Sequence, residues 1–100
     1  MPYAVNHIHL KSADPGATAE WFRDALHVTI ESDVVRPSGD RFIRTVALGG
    51  MVINISGPRT GEVLGPADDD AHLGLEHFGV DSDDVEADIA RLVAMGAVLK

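Results

Sequence analysis

The chain repeats itself. Residues 6–22, NHIHLKSADPGATAEWF, align with residues 76–92, EHFGVDSDDVEADIARL, at a constant offset of 70. That sets His7 on His77, Ser12 on Ser82, Asp14 on Asp84 and Ala17 on Ala87. Each copy reads as a strand, an acidic helix cap and a helix. Such a repeat restricts the fold to two related modules, each one supersecondary unit.

In the first copy, residues 5–11 alternate polar and apolar, as a strand with one buried face does. Asp14-Pro15 is a helix start, with aspartate as N-cap and proline at the first helical position. Ala17, Trp21, Phe22, Ala25 and Leu26 follow at helical spacing. Residues 28–35, 41–48 and 51–56 read as three further strands, joined by a turn at Pro37-Ser38-Gly39-Asp40 and a hairpin at Gly49-Gly50. The expected fold class is therefore α+β, built on β-α-β-β-β modules: a first module at 1–56, a linker at 57–72 and the start of a second at 73–100, within one domain. In the second copy a strand is expected at 75–80. A helix follows with Val85, Ile89, Leu92 and Val93 on one face, then a helix stop at Gly96 and the beginning of a strand at 97–100. The second module is incomplete within these residues: a longer natural protein together with dimerisation is expected, the other outcomes being completion by a second copy alone or a different packing of the half-module.

Alternation sorts the side chains by face. With Gly49-Gly50 as a two-residue loop, Val46 pairs with Ile53 and Thr45 with Asn54. One face then carries Val46, Leu48, Met51, Ile53 and Ile55 and packs on the helix. The other carries Thr45, Ala47, Val52, Asn54 and Ser56. In the first strand Ile8 and Leu10 take the helix side and leave His7 and His9 opposite; in the second copy His77 and Gly79 are left likewise. His7, His9, Thr45, Asn54 and His77 thus gather on one face. Arg36, Arg41 and Arg44 are candidates to grip an anion, with Arg44 falling toward the helix side in this register.

Neutral imidazoles from different strands can hold a divalent metal, which then acts as a Lewis acid on an oxygen-bearing substrate. His7 and His77 are the metal candidates because both copies carry them. His9 has Gly79 as its counterpart and is placed, with Thr45 and Asn54, among substrate contacts. The runs Asp68-Asp69-Asp70 and Asp81-Ser82-Asp83-Asp84 lack the glycine and distal glutamate of a calcium loop and read as solvated loop and helix caps.

Composition removes several classes. There is no cysteine, hence no disulfide, thiolate nucleophile or cysteine-ligated zinc. A net charge of −8 repels nucleic acid and anionic membrane surfaces. No apolar run approaches the ~18 residues of a membrane helix, and no leader-like segment opens the chain; a cytoplasmic protein is expected. No serine triad and no glycine-rich phosphate loop is legible.

The stretches NHIHLKSADPGATAEWFRDAL, GGMVINI and LEHFGVDSDDVEADIARLVAMGA resemble the vicinal oxygen chelate superfamily. It includes glyoxalase I, the bleomycin and fosfomycin resistance proteins and the extradiol dioxygenases. The resemblance implies paired β-α-β-β-β modules whose curved mixed sheets enclose a metal and substrate pocket, and a homodimer. It implies His7 and His77 as ligands to a divalent ion (Zn, Fe, Mn, Ni or Co). It places Asn54 where a glutamate is expected, and a second glutamate beyond Lys100. The expected activity is that of a metal-dependent lyase, isomerase or dioxygenase acting on a small oxygenated molecule. The alternative is a metal-free binding protein of the drug-sequestering kind. A cupin-like barrel also uses a His-x-His strand, but two amphipathic helices argue against it.

Overall fold

The computed structural model describes residues 2–100 and divides the chain into two units, Met1–Gly65 and Pro66–Lys100. The first unit runs β1 (His7–Lys11), α1 (Pro15–Leu26), β2 (Thr29–Val35), β3 (Arg41–Val46) and β4 (Val52–Ser56). These strands form one open mixed sheet in the order β1-β4-β3-β2, with β1 parallel to β4 and the other neighbours antiparallel. The fold is α+β, as the alternation and helical periodicities require.

α1 starts where its sequence dictates. The Asp14 carboxylate accepts a hydrogen bond from the Ala17 amide at 3.1 Å, and Pro15 follows at the first helical position. The helix lies on one face of the sheet. Ala19, Val28, Ile43, Ile53 and Ile55 form the core, with Ile8, Leu10, Phe22 and Leu26 packed against it. Burying an isoleucine side chain is worth about 1.5–3 kcal/mol, so Ile43, Ile53 and Ile55 dominate the attachment of sheet to helix.

The hairpin between β3 and β4 differs from the two-residue loop expected of Gly49-Gly50. The observed pairs are Val46 with Val52, Thr45 with Ile53, Arg44 with Asn54 and Ile43 with Ile55. Residues 48–50 form a three-residue loop: the Gly50 amide donates to the Ala47 carbonyl at 3.0 Å and the Ala47 amide to the Met51 carbonyl at 2.8 Å. Gly49 and Gly50 both have positive φ, 90° and 96°, the conformation for which glycine is suited. Lengthening the loop by one residue slips β3 by one, and a one-residue slip exchanges a strand's faces. Thr45 therefore does not line a cavity. It is fully buried on the helix side, where its hydroxyl donates to the Ile53 carbonyl at 2.8 Å. Arg44 moves the opposite way, to the open face. Replacing Thr45 by valine, which keeps the shape and deletes the hydroxyl, is expected to cost about 1 kcal/mol in urea unfolding. Ligand binding on the open face should not change. Lost binding at unchanged stability would return Thr45 to that face.

The second unit contains α2 (Val85–Ala94). Its start copies that of α1 atom for atom at the offset of 70. In both, a serine hydroxyl (Ser12, Ser82) accepts from the N-cap amide (Asp14, Asp84) at 3.0 and 3.1 Å. In both, the N-cap carboxylate accepts from the amide three residues on. The helix ends in a Schellman arrangement: the Ala97 amide donates to Leu92 and the Gly96 amide to Val93, with Gly96 at φ 102°. Residues 75–80 and 97–100, expected as strands, join no ladder. A strand needs a partner for its backbone groups, and the second unit offers neither segment one.

Candidate functional site

On the face of the sheet away from α1, the register lines up three rows. His7 lies beside Val52 and Val46; His9 beside Asn54 and Arg44; Lys11 beside Ser56 and Phe42. At the first of these ends is a cavity of about 300 Å³ lined by Asn6, His7, Arg44, Gly50, Val52 and Asn54.

Two acceptors face this chemistry without a protein donor. Asn54 Oδ1 is buried and has no hydrogen-bond partner among the described residues. A buried carbonyl oxygen left unpaired is costly, and this one is closed to solvent within the packed face. His7 supplies the second. Its Nδ1 is hydrogen-bonded to Asn6 Oδ1. Since that oxygen can only accept, Nδ1 carries a proton, and in the neutral ring the lone pair is then on Nε2. His77 repeats the arrangement at the offset of 70: its Nδ1 lies 2.9 Å from the Glu76 carboxylate. An imidazole whose outer N–H is fixed by an oxygen is the usual form of a metal-ligating histidine.

His9 is turned the other way along the strand. Its Nε2 lies 2.7 Å from the Ser56 hydroxyl, and its ring meets the edge of Phe42 at 5.4 Å. Arg36 stacks on Phe42, 4.3 Å from the ring centroid. Desolvation, then the charges of Lys11, Arg36 and Arg59, hold the His9 pKa below its ordinary value against a smaller opposing effect of Asp40. His9 is thus a neutral imidazole at neutral pH. It adjoins Asn54 across the sheet and does not line the cavity.

Arg36 is fixed by Asp40, which is fully buried and takes hydrogen bonds from the Arg36 guanidinium and, at 2.6 Å, from the Ser38 hydroxyl. These bonds hold the Asp40 carboxyl well below the usual carboxylate range. A depressed carboxyl pKa contributes stability that is present above the unfolded value of 3.8 and lost as pH falls through the folded value. In urea titrations stepped from about pH 5 to pH 2, the parent should lose stability steeply. Asp40→Asn should be weaker at pH 5 and show a flatter acid limb. Parallel limbs would remove Asp40 from the acid response.

Of the residues read from the sequence, His7 and Asn54 share the cavity, His9 stands next to it, and Thr45 lies on the far face. His77 belongs to the second unit. A two-residue loop sets Arg44 toward the helix side, whereas the longer loop sets it beside Asn54 in the cavity lining, and the sequence carries no local signal that chooses between the two. Arg41 is engaged by Asp33 at 2.9 Å through Nε. Within the first unit the lining offers an imidazole and an amide oxygen, donor types that a divalent metal accepts. Among the described residues no three histidine or carboxylate side chains form one metal-holding group.

A family model described as a glyoxalase-like domain matches residues 7–100. No curated protein matches the chain. Among solved structures, a glyoxylase/bleomycin resistance protein/dioxygenase domain from Frankia sp. EAN1pec superposes with a TM-score of 0.78 at 24% identity, covering 98% of this chain and 77% of that one. A mutant of the fosfomycin resistance protein FosX from Listeria monocytogenes, complexed with Mn(II) and 1S,2S-dihydroxypropylphosphonic acid, superposes with a TM-score of 0.72. It is 18% identical, with 100% of this chain and 75% of that one covered. At these identities the two structures establish the fold.

Proposed function

The chain belongs to the glyoxalase-like domain family, and from that premise we propose that it binds a small oxygenated organic molecule on the open face of its first sheet. In this reading His7 and His77 hold a divalent metal through Nε2, and the class is that of a metal-dependent glyoxalase- or dioxygenase-like enzyme. The observation that carries it is the cavity lined by both His7 and Asn54. Asn6 and Glu76 keep the two imidazoles in the tautomer that leaves Nε2 free. Asn54 accepts a hydrogen bond from a hydroxyl of the ligand, and neutral His9 borders its far side. When bound, the metal supplies Lewis acidity toward adjacent substrate oxygens. The Mn(II) and hydroxylated phosphonate held by the FosX relative lend support. Homodimerisation is part of the proposal and is read by sedimentation.

The test is metal content. The parent, reconstituted with Mn(II) and desalted, should retain metal, and the His7→Ala, His77→Ala double variant should retain almost none. Equal content in both retires the metal role. Two observations favour a second reading, a metal-free binding protein. Position 54 offers a neutral amide, and the Arg44 cation lines the same cavity and repels a second cation. Small-molecule binding that survives chelation unchanged would select it.

A further inference from the structure

Of the residues lining the cavity, Arg44 alone carries a permanent charge, and it is positive in a chain whose net charge is −8. Its one partner among the described residues is Glu31, with Nε and Oε1 3.5 Å apart and both side chains roughly half exposed. That separation exceeds a hydrogen bond, and an exposed pair of this kind is weak. The contact uses Nε and leaves the two Nη groups, a planar fork matched to two oxygens of one anion.

Glu31 stays beside Arg44 although β2 is irregular. Ile30 pairs with Thr45 and Ser32 with Arg44, so Glu31 is the extra residue of a bulge between them. Continuing the Thr29–Val46 and Ile30–Thr45 pairs would set Glu31 opposite Arg44; the bulge gives that pairing to Ser32 while the Glu31 carboxylate remains beside the cavity's cation. His7 and Asn54 line the same cavity, and a neutral His7 held at Nδ1 by Asn6 offers Nε2 as an acceptor for a hydroxyl donor or a metal.

We infer that the ligand is a small hydroxylated oxyanion whose charged group is bound by Arg44, and that Glu31 occupies Arg44 when the ligand is away. This rests on the reading that the cavity takes a small oxygenated molecule. Arg44 is the specificity-determining contact, and the ligand must displace Glu31 to make it.

The test is a nitrogen–proton NMR titration of the full chain after chelation, at constant ionic strength, with glycolate, hydroxymethylphosphonate and neutral ethylene glycol. Glycolate or the phosphonate should shift the amides of Arg44, Val52 and Asn54, the tighter of the two naming the oxyanion, while ethylene glycol at the same concentration should not. Arg44→Met should weaken the binding at least about tenfold. Glu31→Gln, which removes the competitor, should tighten it about threefold, a gain that a purely structural pair would not give. If ethylene glycol shifts the same amides as strongly as the anions, the cavity reading stands and the oxyanion inference falls. If none of the three shifts them, both fall. Arg44→Met or Glu31→Gln binding like the parent also overturns the inference.

Discussion

A His7→Ala chain is expected to bind Mn(II) at least about 100-fold more weakly than the parent, and an Asn6→Ala chain about 10–100-fold more weakly. The two effects have different origins. Alanine at position 7 removes the lone pair itself. Alanine at position 6 leaves the imidazole in place but removes the oxygen that fixes its Nδ1 proton. The ring is then free to rotate and to populate the tautomer with Nε2 protonated, which cannot ligate through Nε2. Glu76→Ala should act on His77 in the same way. Competition against a fluorescent chelator reads all these affinities on one scale. A His7→Ala chain that competes like the parent would reduce the Asn6–His7 bond to a local surface contact.

Truncating Ile55 to alanine should cost about 2–5 kcal/mol and lower the melting temperature by at least roughly 10 °C. Ile55 is fully buried on β4, the strand with β1 on one side and β3 on the other. No neighbouring element is free to collapse into the space, so the cavity penalty adds to the lost transfer energy. Ile55→Val, missing one methylene, should cost only about 0.5–1.5 kcal/mol. Asn54→Ala, one residue away on the opposite face, should be close to neutral, because the oxygen it deletes has no protein partner to lose. Urea unfolding followed by far-ultraviolet circular dichroism measures all three. An Ile55→Ala cost below about 1 kcal/mol would mean that this face of β4 is not packed as described.

Features that depend on neighbours in sequence were legible in advance. The Asp14 cap, the Pro15 start, the face of β1 that carries His7 and His9, and the second helix with its Gly96 stop all follow from local rules. So does the family resemblance, whose motifs are local stretches. The hairpin register was not legible. Gly49-Gly50 satisfies a two-residue and a three-residue loop alike, since both use positive φ. Leu48 also looked like an inward residue of β3, whereas it is an exposed loop residue. From that one choice came the exchange of Thr45 and Arg44. The bulge at Glu31 was equally hidden, because a bulge is a property of two strands and leaves no mark on one. The segments 75–80 and 97–100 show the complementary error: a strand-like pattern states a preference, and a ladder needs a partner.

The strand that carries the histidines is the one held least locally. β2, β3 and β4 follow one another as a meander, but His7 pairs with Val52, on the far side of the helix and two hairpins. Closing that long loop has to be compensated by contacts that form only once the meander stands, so docking of β1 is expected late in folding. As an edge strand, β1 is also bound on one side only and is the natural place for opening from the native state. Whatever engages His7 together with Asn54 therefore stitches this edge to the centre of the sheet. Occupancy of the site and closure of the chain's longest-range pairing become a single linked equilibrium.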